Sequence, residues 1–90
     1  MRVSFVYEGH EIAISRDMFE MNMFIDDKIV DSVKGMFKSA GDCELHGKVK
    51  SANGIEKQVE VQFRSGGLRE IHSRLNLMVD GQLIEVKNIL

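Results

Sequence analysis

Apolar residues recur at every second position along most of the chain. Val3, Phe5 and Tyr7 set the pattern, Glu8-Gly9-His10 breaks it, and Ile12 and Ile14 resume it. Leu45 and Val49 alternate with His46, Lys48 and Lys50. Ser51–Gly54 then turns the chain, and Val59, Val61 and Phe63 alternate with Gln58, Glu60, Gln62 and Arg64. A period of two predicts half-buried strands joined by tight turns. Asn53-Gly54 and Asp80-Gly81 are the strongest turn signals, because a type I′ turn needs positive φ at both central residues. Ser65-Gly66-Gly67 predicts a loop ahead of a long strand over roughly residues 70–79. The chain has no proline, so no strand loses a ladder donor that way.

Asp80-Gly81 sits between two apolar runs, and its two-residue turn predicts a pairing. Val79 faces Gln82, Met78 faces Leu83, Leu77 faces Ile84 and Leu75 faces Val86. Facing residues share one side of a sheet. Leu75, Leu77, Ile84 and Val86 then form a core face, and Met78 with Leu83 lies on the other. The same rule applied to Asp26-Asp27 pairs Met23 with Val30 and Met21 with Ser32 on one side. It pairs Asn22 with Asp31 and Phe24 with Ile29 on the other. "EMNMFIDDKIV" therefore matches "RLNLMVDGQLI" position by position. Asp tolerates left-handed backbone better than most residues, so Asp-Asp can stand in for Asp-Gly. One hairpin device is predicted twice.

A helix over residues 28–39 competes for the first of these hairpins. Ile29, Val30, Val33, Met36, Phe37 and Ala40 fall on one helical face, with Asp26 or Asp27 as N-cap and Gly41 as stop. Gly35 and the β-branched Ile29-Val30 pair weaken that helix, and we favour the strand. The expected fold is all-β, an antiparallel β-sandwich or roll of about seven or eight strands. The alternative is α+β, with one helix at 28–39 packed on an antiparallel sheet.

Composition narrows the function classes. Ninety residues form a single expected domain, 1–90, with a modest core. An apolar fraction of 43% excludes a disordered chain. A net charge of −2 argues against nucleic acid or an anionic membrane surface as a general partner. The single cysteine, Cys43, has no internal disulfide partner, which points to a reducing, cytoplasmic setting. Acidic residues appear too early for a signal peptide, and no run reaches the length of a membrane span.

The order of these pieces resembles the C-terminal β-domain of the Fas apoptotic inhibitory molecule family. The likeness runs from "HEIAIS" through "FIDDKIVDS" and "GMFKSAG" to "LNLMVDGQLIEV". It comprises an Asp-containing turn with a Lys, a Gly-x-Phe step and a closing "VD-x-x-x-I" hairpin. The resemblance implies an antiparallel β-sandwich, no catalysis, and a cytosolic role through protein–protein contacts. It carries over no functional residues, because the family offers no catalytic or ligand motif.

Candidate chemistry is sparse. Cys43-x-x-His46 beside Asp42 could supply two metal ligands, with His72 or His10 completing a set. On a strand Cys43 and His46 point to opposite faces, and a structural zinc site normally shows two such pairs. No metal or other cofactor is therefore expected. Cys43 lacks a local signature for nucleophilic catalysis, and no phosphate-binding glycine loop is present. We expect no enzyme. Phe24 with Ile29 and Met78 with Leu83 lie opposite their cores, with Glu20 and Arg74 at equivalent outer positions. Apolar pairs rimmed by charge are how protein interfaces commonly begin. The leading expectation is a non-catalytic protein-binding module whose partner is another protein or itself. A small-ligand or metal-binding domain built on Asp42, Cys43, His46 and His72 is the alternative.

Overall fold

The computed structural model describes residues 2–17, 19–34, 42–64 and 73–89. They form eight strands: β1 (Arg2–Tyr7), β2 (His10–Arg16), β3 (Glu20–Ile25), β4 (Lys28–Lys34), β5 (Cys43–Lys50), β6 (Glu56–Arg64), β7 (Ser73–Val79) and β8 (Gln82–Ile89). The strands build two antiparallel four-stranded sheets, ordered β1-β2-β3-β4 and β5-β6-β7-β8. The all-β expectation holds. The helix does not: Lys28–Lys34 is strand, and positions 35–39 lie outside the described residues. So do Ser65-Gly66-Gly67 and residues 70–72, where the long strand was expected to begin.

Alternation explains the core. Phe5, Ile12, Ile14, Met21, Met23 and Ile25 come from the first sheet; Leu45, Val49, Val59, Val61, Phe63, Leu75, Leu77 and Val79 come from the second. Met21 and Met23 are fully buried. Their thioethers fill the core rather than forming an adaptable surface.

Three turns share one geometry. Glu8-Gly9, Asp26-Asp27 and Asp80-Gly81 have positive φ at both residues, as type I′ turns require. At Asn53-Gly54 only Gly54 is left-handed, and the chain turns through five residues closed by Ser51 N–H donating to the Ile55 carbonyl at 2.8 Å. Asn53 serves instead as a side-chain acceptor for Ile55 N–H and the Ser51 hydroxyl.

The expected hairpin duplication is present, but with a different register. Phe24 faces Ile29 and Met78 faces Leu83 as predicted. Each hairpin then inserts an extra residue, Val30 in β4 and Ile84 in β8. Met23 consequently faces Asp31 rather than Val30, and Leu77 faces Glu85 rather than Ile84. Farther along, Met21 faces Val33, Asn22 faces Ser32, Leu75 faces Lys87 and Asn76 faces Val86. A β-bulge shifts all later residues to the opposite side. Ile84 and Val86 therefore leave the core and are exposed. Their places on the inner side go to Glu85 and Lys87.

The repeat extends beyond the hairpins. Asp26 N–H donates to the Glu11 carbonyl, and Asp26 Oδ1 accepts Glu11 N–H at 3.0 Å. Asp80 makes the same two bonds to Gln58, the second at 2.9 Å. Ile12 faces Ile25 and Val59 faces Val79, so the two sheets match strand for strand. The seams between the sheets also match in kind. Across one, Asp31 Oδ2 accepts His46 N–H at 2.8 Å. Across the other, the Lys87 ammonium donates to the Ser4 carbonyl while lying 5.2 Å from the centre of the Phe5 ring.

The repeat yields a stability prediction at residue 27. Asp27 holds φ at 67° with a well-exposed side chain whose partner, Arg2, is also exposed. Gly81 occupies the equivalent place. Asp27→Gly is expected to raise the urea midpoint, by relief of roughly 0.5–1 kcal/mol of left-handed strain. Asp26→Gly is expected to lower it, because Asp26 holds both His10 and Glu11.

Candidate functional site

The two apolar pairs expected at an interface occupy different sheets, so they do not form one patch. On the first, Phe24 faces Ala13 and Ile29 on the outer side. Arg2 lies over its ring, 5.1 Å from the centroid. The guanidinium reaches Asp27 at 3.5 Å and Glu11 at 3.8 Å, and Ala13 beneath is fully buried. Ile29 stays exposed. Glu20, farther down, is half-buried, accepts from Asn22 Nδ2 at 3.3 Å and faces Lys34. Arg2 thus covers Phe24 alone of this pair, and Val6 on β1 is exposed as well.

The second sheet is different. One cross-strand row reads His46, Glu60, Met78, Leu83, and the next reads Glu44, Gln62, Asn76, Val86. The polar members satisfy one another. Gln62 donates to Glu60 at 2.6 Å and accepts from Asn76 at 3.3 Å, while Arg64 donates to Glu44 at 3.3 Å. Both rows end at the edge strand β8 in an apolar residue. Leu83 is 57% exposed, and Ile84 and Val86 are each 44% exposed. Arg74 is exposed between Arg64 and Asn88 in the next row. Ile84 and Val86 are the surface residues that strict alternation misplaces into the core. The signal that could have found them is the acid directly after each apolar pair, Asp31 and Glu85.

The bulge has a second effect at this edge. Edge strands that avoid indiscriminate pairing carry bulges and inward-pointing charges. β8 has both, since Glu85 and Lys87 share the side of Leu77 and Leu75. They stand 4.0 Å apart.

The metal-ligand candidates do not converge. Cys43 faces Phe63 on the core side, with Sγ 3.9 Å from Met21 Sδ. His46 faces Glu60 on the outer side, with Nδ1 3.6 Å from its carboxylate. Asp42 precedes β5, and His72 lies outside the described residues. Among the described residues no three His, Cys, Asp or Glu side chains gather as metal ligands would. Burial first, and Glu44 second, push the Cys43 thiol above its ordinary range. That holds it in the protonated form, which neither attacks nor ligates well. Among the described residues no helix is long and apolar enough to cross a membrane. No protein-family model, curated protein or solved structure matches the chain.

Proposed function

We propose that the chain is a non-catalytic protein-binding module whose partner is a second copy of itself, joined edge to edge along β8 in a cytoplasmic setting. The observation that carries this reading is the row of exposed apolar residues Leu83, Ile84 and Val86 on a strand that, among the described residues, pairs on one side alone. Charge chooses the partner. Two β8 strands running antiparallel about Val86 set Glu85 of each copy opposite Lys87 of the other. Ile84 then faces Asn88, and Leu83 faces Ile89. Opposite charges directly across a ladder stabilise it, and like charges oppose it. The inward charges thus discourage unrelated strands yet complement themselves across a two-fold axis. Lys87 already holds the Ser4 carbonyl, and an ammonium with three donors retains capacity for a carboxylate. The likeness to the Fas apoptotic inhibitory molecule family, which implies protein contacts without catalysis, points in the same direction.

Sedimentation equilibrium over a wide concentration range tests the reading. The wild-type chain is expected to dimerise reversibly. Val86→Glu places two carboxylates face to face on the axis and is expected to weaken the dimer roughly tenfold or more, with the circular dichroism spectrum unchanged. A wild-type chain that stays monomeric throughout would remove the self-pairing. Equal association by the wild type and Val86→Glu would remove this edge.

A further inference from the structure

His10 opens β2, with an oxygen against each of its ring nitrogens. Nδ1 lies 2.7 Å from Asp26 Oδ2, and Nε2 lies 2.7 Å from the Lys50 carbonyl oxygen. Carboxylate and carbonyl oxygens only accept hydrogen bonds. A neutral imidazole has one N–H and can serve one of these oxygens; the imidazolium serves both. The acceptors belong to different sheets, Asp26 to the β3–β4 turn and Lys50 to the end of β5. We propose that His10 is a pH-sensitive clasp: doubly protonated, it ties the β3–β4 turn of the first sheet to the end of β5 in the second, and on losing a proton it releases one of them.

The surrounding charges favour the closed form. Asp26 is positioned independently of His10, because its other oxygen holds Glu11 N–H at 3.0 Å. Glu8, in the turn before His10, adds a second negative charge. The Lys57 ammonium is held by neighbours of His10, 3.8 Å from Glu8 and 3.0 Å from the Tyr7 hydroxyl. Arg2 is engaged by Glu11 and Asp27. The Asp26 hydrogen bond, followed by the Lys50 carbonyl, holds the imidazole above its ordinary value. His10, followed by Glu11 N–H, holds the Asp26 carboxyl below its own.

The sign of the pH effect follows. A histidine raised in the fold contributes stability that is complete below its unfolded titration and is lost as pH rises through the folded one. The lowered carboxylate contributes stability present above its unfolded titration and lost as pH falls through the folded one. The clasp is therefore closed at mildly acidic pH and opens as pH climbs past the His10 titration.

The repeat supplies an internal contrast. Ile12 matches Val59, so Lys57 in β6 is the equivalent of His10. It too crosses to the other sheet, reaching Tyr7 and Glu8. A lysine keeps its charge through neutrality and a histidine does not. One of two equivalent ties is thus titratable.

Proton NMR of the His10 ring, followed in the full chain between about pH 5 and pH 8, tests the clasp. The ring is expected to titrate above about 6.5, and the Ser51 amide, which shares the Lys50 peptide group, to shift with the same midpoint. Asp26→Asn is expected to lower that midpoint. The ratio of the wild-type folding constant to that of His10→Gln is expected to fall with rising pH, by about tenfold for each pH unit separating the folded and unfolded titrations. A His10 ring titrating at or below the ordinary value would overturn the proposal. So would a Ser51 amide that ignores the ring. Both readings use the wild-type chain and stand even if a variant fails to fold.

Discussion

Leu77→Ala is expected to destabilise the fold by about 3 kcal/mol, while Ile84→Ser leaves stability within about 0.5 kcal/mol of the wild type. Urea denaturation of the two variants beside the wild type, at concentrations low enough to keep every chain monomeric, measures both. Simple alternation places Leu77 and Ile84 face to face in the core, so it expects both substitutions to be costly. With the bulge, Leu77 is fully buried and faces Glu85, while Ile84 stands at the surface. Truncating Leu77 removes buried methyl groups and leaves a cavity among Val61, Val79 and the residues packed around them, a site with little freedom to collapse. The repeat doubles the test. Met23, which faces Asp31 across the other bulge, is equally buried. Met23→Ala is expected to be as damaging as Leu77→Ala, and its exposed counterpart Val30 far less so. Large losses at both Leu77 and Ile84 would mean that the register runs straight through the hairpin.

Local residues made most of this fold legible. Asp80-Gly81 and Asp26-Asp27 announce turns through backbone conformations that few residues accept, and both turns form. Alternation in β3, β6 and β7 separates core from surface because those strands lie inside their sheets, with neighbours on both edges. It fails in β4 and β8, which are edge strands. There the inner side is only partly covered, so an acid can turn inward if it finds a donor, as Asp31 finds His46 N–H. That donor comes from the other sheet, and the spacing within β4 carries no record of it. Helical periodicity over 28–39 competed with the strand for the same reason: two adjacent apolar residues fit a helix face as well as a bulge.

The candidate site was legible in part. Met78 and Leu83 were placed on the outer face by the turn alone, since they precede the bulge. Val86 was not, because it follows the bulge. Phe24 sits where the turn put it, yet nothing near it in the chain shows that Arg2 will cover it. The His10 tie was invisible, as one of its acceptors lies 40 residues away.

Gly47→Val is expected to destabilise the fold by about 1–3 kcal/mol, and more than Gly47→Ala. A Cβ at position 47 would lie 2.8 Å from Ile25 Cδ1 and 3.2 Å from Val30 Cγ2. Alanine can be met by rotation of the Ile25 tip, but valine adds two methyl groups in the same space. Gly47 faces Val59 as Phe5 faces Ile12, so the two halves place a bare backbone and a phenyl ring at equivalent points. The consequence is visible at the seams. Where Gly47 lies, β5 runs close beside β3 and β4, and Asp31 reaches the His46 backbone directly. Where Phe5 lies, β1 and β8 stand farther apart among the described residues, and the long Lys87 side chain bridges to Ser4. Bulk at position 47 should push the first seam toward the geometry of the second. Hydrogen exchange at the His46 amide reports this without depending on global stability. Faster exchange in Gly47→Val under native conditions is the expected result, and unchanged protection would show that Asp31 holds the seam without help from the glycine.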